Sequence, residues 1–119
     1  MPIVCIIDDD ASVRVAVERI VRSMDLTACT FEGCRDFLDS PHLLKTSCII
    51  ADVQMPGMNG LELQRTLQTR GIAIPLIFIT AYPNERIRRQ ALDAGAICFL
   101  HKPFQGTSIV ACIERALQR

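Results

Sequence analysis

A run of five residues with no polar member, Ile3-Val4-Cys5-Ile6-Ile7, is followed at once by three aspartates, Asp8, Asp9 and Asp10. An uninterrupted, largely β-branched run of this length predicts a strand buried on both faces, as in a parallel sheet covered by helices on each side. Such a sheet tolerates charge only beyond the strand ends, so the carboxylates belong at its rim. Three later segments have the same form: Cys48-Ile49-Ile50-Ala51 ends at Asp52, residues 76–79 end at Thr80, and residues 96–100 end near Lys102-Pro103. The fifth, residues 26–31, mixes Thr27 and Thr30 with apolar residues and predicts an edge strand.

Amphipathic stretches fill the intervals. After Asp10 or Ser12, either of which can cap a helix, Val13, Val17, Ile20, Val21 and Met24 recur at helical spacing, with Arg14, Glu18 and Arg22 on the other side. A short helix over 33–38 is broken by Ser40-Pro41, and a third carries Leu61, Leu63 and Leu67 up to the stop signal Gly71. Asn84 caps a fourth helix to Asp93, and the last presents Ile109, Cys112, Ile113, Ala116 and Leu117. Five strands alternating with five helices predict an α/β, doubly wound parallel sheet. Right-handed crossovers and the polar second strand favour the flavodoxin-like (βα)5 order 2-1-3-4-5.

At 119 residues this is expected to be one domain spanning the chain. Thirteen basic residues balance thirteen acidic ones, so a general electrostatic grip on nucleic acid is not expected. No apolar run approaches the ~18 residues that span a membrane, and no signal peptide is visible, so the expectation is a cytoplasmic protein. None of the six cysteines forms Cys-x-x-Cys. They read as buried, reduced thiols acting as small hydrophobes, with Cys29 and Cys34 the alternative candidates for a redox role.

In doubly wound sheets ligands bind beyond the carboxyl ends of the strands, at the switch between strands 1 and 3. Asp8, Asp9 and Asp10, Asp52, Thr80 and Lys102 all fall on that rim. Asp10 alone reads as a helix cap. With Asp8, Asp9 and Asp52 ionised the rim carries three negative charges, which Lys102 and a divalent cation would cancel. Carboxylates and water suit Mg2+. A neutral site with an open metal position can receive a phosphoryl group, with an Asp carboxylate as nucleophile.

These positions resemble a response-regulator receiver domain of two-component signalling, over essentially the whole chain. The matching pieces are Ile6-Ile7-Asp8-Asp9-Asp10, then Ile50-Ala51-Asp52-Val53-Gln54-Met55-Pro56-Gly57-Met58-Asn59-Gly60, Phe78-Ile79-Thr80-Ala81, Ala94-Gly95-Ala96 and His101-Lys102-Pro103-Phe104. The Asp triplet and the segment around Lys102 are similar to the FixJ-like subgroup. The resemblance implies that Asp52 is the phosphoacceptor, that Asp9, Asp52 and the Gln54 backbone carbonyl bind Mg2+ directly, and that Asp8 holds it through water. It implies that Lys102 contacts the phosphoryl group, that Thr80 hydrogen-bonds it, and that small Ala81 leaves it access. It further implies a cis bond before Pro103, a switch formed by Thr80 and Phe99, and tuning of the phosphoryl lifetime by Gln54 and Tyr82.

Implied partners are a sensor histidine kinase or phosphotransfer protein, and a second copy paired through the fourth helix, fifth strand and fifth helix, where Arg86, Arg88 and Arg89 cluster. Implied output is transcription, through a DNA-binding domain absent from this chain. The alternative is a stand-alone receiver like the chemotaxis protein CheY. Such a domain is a switch rather than an enzyme. Three other readings compete. Asp8-Asp9-Asp10-Ala11-Ser12 weakly resembles the opening of haloacid-dehalogenase-type phosphatases, and an interaction module that takes no phosphate would need no intact rim. A nucleotide-binding flavodoxin-like domain would need a glycine-rich or Ser/Thr-rich phosphate loop after the first strand, where acids stand instead.

Overall fold

In a computed structural model, which describes residues 1–118, the chain folds as β1 (Ile3–Ile7), α1 (Ala11–Ser23), β2 (Thr27–Phe31), α2 (Cys34–Leu38), β3 (Thr46–Asp52), α3 (Gly60–Thr69), β4 (Leu76–Thr80), α4 (Glu85–Asp93), β5 (Cys98–His101) and α5 (Gly106–Leu117). Arg119, the last residue of the expected domain, lies outside the described residues. The five strands form one parallel sheet in the order β2-β1-β3-β4-β5. This is the doubly wound order read from the sequence, and the Thr-containing β2 takes an edge. Among the described residues no helix is long and apolar enough to cross a membrane.

Alternation along each strand divides the core in two. Val4, Ile6, Cys48, Ile50, Ile77 and Ile79 face α1 and α5, where Val17, Val21, Ile109 and Ile113 are buried against them. Cys5, Ile7, Ile49, Ala51 and Phe78 face the other side, against Phe37, Leu63, Leu67 and Ala91. Burial on both faces explains why Ile3–Ile7 and the segment 48–51 carry only apolar side chains and thiols before the carboxylates Asp8 and Asp52. Helix starts follow their caps. Asp10 accepts from the Ser12 N–H at 2.9 Å, and Asn59 forms a capping box with Glu62 at the head of α3.

Three details differ from the sequence reading. A 3-10 turn at Leu43–Lys45 leads into β3, which starts two residues early because Thr46 is fixed by its hydroxyl bond to the His42 carbonyl at 2.7 Å. β5 is shifted toward the rim: Ala96 and Ile97 form its approach, and His101 pairs with Thr80. The reading of six reduced thiols is corrected at two positions, since Cys98 and Cys112 form a disulfide between β5 and α5. Their Cα atoms lie 6.2 Å apart, a reach set by helix-on-sheet packing that no short motif announces. Cys5, Cys34 and Cys48 are free and buried, and burial pushes their thiols up to about 11, 12 and 12 respectively, which leaves them unreactive.

Gly60 fixes the approach of α3 to the sheet. Its N–H donates to the Val53 carbonyl at 2.9 Å, and a Cβ there would stand 2.7 Å from both the Asp52 carbonyl oxygen and the Phe78 ring. Helix propensity alone favours alanine over glycine by about 1 kcal/mol. Here the clash with backbone and a buried ring reverses the sign. Gly60→Ala is expected to lower stability by about 1–3 kcal/mol in urea unfolding; a variant as stable as wild type would contradict this packing.

Candidate functional site

The rim is assembled by the sheet order. β1 and β3 are neighbours, so the residues following Ile7 and Ala51 end beside each other, and β4 and β5 lie next along the same edge. Asp8 is fully buried and Asp52 nearly so, while Asp9 and Asp10 are exposed. One carboxylate oxygen from each of Asp8, Asp9 and Asp52 lies within 4.8 Å of the others. Asp10 is turned into the helix cap, and hydrogen bonds from Ser12 hold its carboxyl below its ordinary value.

Lys102 reaches in from the end of β5. Its backbone N–H donates to the Thr80 carbonyl at 2.7 Å, which sets its position, and the Lys102–Pro103 bond that follows is cis. The Lys102 Nζ donates to Asp8 Oδ2 at 2.9 Å and to Asp52 Oδ2 at 3.0 Å. Burial alone would push this ammonium down, but its hydrogen bonds to Asp8 and Asp52 and their charges outweigh that and hold it above its ordinary value. Burial pushes the Asp8 carboxyl up, against the pull of the Asp10 N–H and Lys102. The two shifts are compatible because one ammonium shared between two acids cannot neutralise both. Three carboxylates and one ammonium leave the rim two charges short of neutral. The donor set is all oxygen, as a hard divalent cation requires, and it fits Mg2+.

Thr80 is fully buried at the end of β4. Its hydroxyl donates to the Gln54 side-chain carbonyl at 2.7 Å and accepts the Tyr82 N–H at 3.0 Å. The Gln54 N–H donates to Asp52 Oδ1 at 3.1 Å. Ala81 and Tyr82 are exposed. Phe99 is half-buried on β5, its ring 6.3 Å from that of Phe78, and lines a recess of about 290 Å³ with Pro83, Asn84, Glu85, Arg88 and His101. Of the α4 basic cluster, Arg88 and Arg89 both pair with Glu85, so its charge is partly spent within the helix.

Two contacts lay beyond the sequence reading. The Arg14 guanidinium donates to the Asp8 backbone carbonyl at 2.6 Å and braces the acidic turn, whereas helical spacing places Arg14 only on the side opposite the apolar stripe. The side-chain bond from Thr80 to Gln54 joins residues 26 apart and has no periodic signature.

The chain matches the response regulator receiver domain family over residues 4–114. It is 37% identical to the transcriptional regulatory protein TdiR of Thauera aromatica, over 96% of this chain and 50% of that protein. It is 31% identical to the transcriptional regulatory protein FixJ of Bradyrhizobium diazoefficiens, over 96% of this chain and 56% of that one. The chain thus spans about half the length of the curated relatives it matches. The crystal structure of FixJ-N superimposes with a TM-score of 0.89 at 31% identity, covering 100% of this chain and 95% of that one. The chain belongs to the response-regulator receiver family of two-component signalling, whose members are signalling switches that receive phosphoryl groups from histidine kinases.

The shared ammonium makes a direct prediction. Lys102→Met keeps the stem and removes the charge, leaving Asp8 and Asp52 buried without a counterion. Metal-free stability at neutral pH is expected to fall by about 3 kcal/mol in urea unfolding. The loss shrinks as pH falls, because the already raised Asp8 carboxyl takes up a proton and ceases to be a buried charge. Equal stability of the two proteins in EDTA would show that the pair carries no weight.

Proposed function

We propose that this receiver domain accepts a phosphoryl group on Asp52 and relays the change through Thr80 and Phe99 to the face formed by α4, β5 and α5. The observation that carries this reading is the Lys102 ammonium held between two buried carboxylates at the meeting point of β1, β3 and β5. Mg2+ held by Asp9, Asp52 and the Gln54 backbone carbonyl, with Asp8 acting through water, would supply the missing positive charge opposite the phosphoryl oxygens. One Asp52 oxygen attacks the phosphorus of a phosphohistidine. The new P–O bond forms as the P–N bond breaks, and the departing imidazole nitrogen takes a proton.

Lys102 then moves its Asp52 contact to a phosphoryl oxygen, and the Thr80 hydroxyl donates to another. Ala81, small and exposed, leaves the approach open. As Thr80 swings toward phosphate it vacates space beside β5, and Phe99 turns inward from its recess. Gln54 and the exposed Tyr82 flank the site and tune the lifetime of the acyl phosphate.

The donor is a sensor histidine kinase or phosphotransfer protein, and the domain acts in the cytoplasm. Its switched face pairs with a second copy, and the output is transcription through a DNA-binding domain. The last point rests on relatives that are named transcriptional regulators and are about twice as long. The receiver itself makes no contact with nucleic acid in this reading, and a CheY-like role through protein binding is the alternative output.

With Mg2+ and acetyl phosphate, intact mass is expected to show one added phosphoryl group, labile to hydroxylamine, on wild type and none on Asp52→Asn. Asp9→Asn is expected to need at least tenfold more Mg2+ for the same yield, since it removes a charged ligand. Labelling that survives Asp52→Asn would place the acceptor elsewhere.

A further inference from the structure

Thr80 has one hydroxyl proton, and it is already committed. Its Oγ1 donates to Gln54 Oε1 at 2.7 Å, accepts the Tyr82 N–H at 3.0 Å, and has a second, poorer acceptor in the Tyr82 carbonyl at 3.3 Å. The hydroxyl is fully buried, so water does not offer it an easy exchange. The Gln54 backbone N–H meanwhile caps Asp52 Oδ1 at 3.1 Å. One residue therefore touches both the carboxylate at the centre of the site and the hydroxyl that must turn toward it.

We propose that the Gln54 side chain is a latch on Thr80: its amide oxygen competes with a phosphoryl oxygen for the single Thr80 proton and so sets how readily the domain leaves its resting arrangement. This rests on the reading of Asp52 as phosphoacceptor and adds a positioning role for Gln54. The contact is made by the side chain alone, so it is separable from any use of the Gln54 backbone carbonyl. A neutral hydrogen bond of this kind shifts a two-state equilibrium by about three- to tenfold. Gln54 is exposed, and replacing its side chain leaves the core untouched.

Beryllofluoride, a stable stand-in for the phosphoryl group, is the probe. Its apparent affinity at saturating Mg2+ is read by 19F NMR for wild type, Gln54→Met, Thr80→Val and the double variant. Gln54→Met keeps the length of the side chain and lacks the acceptor. It is expected to bind beryllofluoride about three- to tenfold more tightly than wild type. Without the Thr80 hydroxyl, the same substitution is expected to change affinity less than about twofold, the coupling a double-mutant cycle isolates. In the absence of beryllofluoride, the Phe99 amide resonance of Gln54→Met is expected to shift along the line joining free and loaded wild type.

Equal effects in both backgrounds would overturn the latch, because Gln54 would then act by access or charge rather than through Thr80. An unchanged affinity in Gln54→Met would also overturn it while leaving Asp52 as acceptor. If wild type itself takes up no beryllofluoride, the phosphoacceptor reading fails and the latch has no competitor to resist.

Discussion

A single ammonium held between two buried carboxylates organises this molecule. Lys102 lies 2.9 Å from Asp8 and 3.0 Å from Asp52, and these three residues come from the ends of three different strands. They meet only because β3 lies beside β1 and because the main chain at Lys102 is anchored to the end of β4 through the Thr80 carbonyl. A one-residue slip of β5 would turn Lys102 to the opposite face of the sheet and leave Asp8 without a cation. Register and electrostatics therefore specify the same arrangement.

The compensation is incomplete by construction. Burial keeps pushing the Asp8 carboxyl up even with Lys102 in place, and Asp9 adds exposed negative charge within 4.8 Å. Packing elsewhere follows local rules closely, with apolar side chains on both sheet faces and side-chain caps on α1, α3 and α4. The rim departs from them by concentrating three carboxylates around one ammonium. Such local conflicts are expected at functional positions, where the rest of the fold holds a strained arrangement in place. Thr80 ends β4 beside this conflict, and Phe99 lies on the neighbouring strand β5, paired with Phe78.

Most of the scaffold was legible because its signals are local. The Ile3–Ile7 run, the Asn59 and Asn84 caps and the Thr-bearing edge strand each announce themselves within a few residues. The rim was legible at one remove: strand-end residues become neighbours once the strand order is known, and Asp8, Asp9, Asp52, Thr80 and Lys102 are together for that reason. What escaped depends on side chains meeting across the fold. The Cys98–Cys112 bridge arises from packing of α5 on β5. The Thr80–Gln54 bond and the brace from Arg14 to the Asp8 carbonyl need rotamers that no periodicity encodes. The early start of β3 follows from the hydroxyl bond between Thr46 and His42.

Whether the Lys102-bridged carboxylates form a phosphoryl receptor can be seen in a crystal structure of the protein loaded with Mg2+ and beryllofluoride. Beryllium is expected bonded to an Asp52 oxygen, with Lys102 Nζ within hydrogen-bond distance of one fluorine while retaining Asp8, and Thr80 Oγ1 turned from Gln54 to another fluorine. A loaded crystal in which Lys102 still bridges Asp8 and Asp52, with beryllofluoride absent from Asp52 or bound elsewhere, would contradict it.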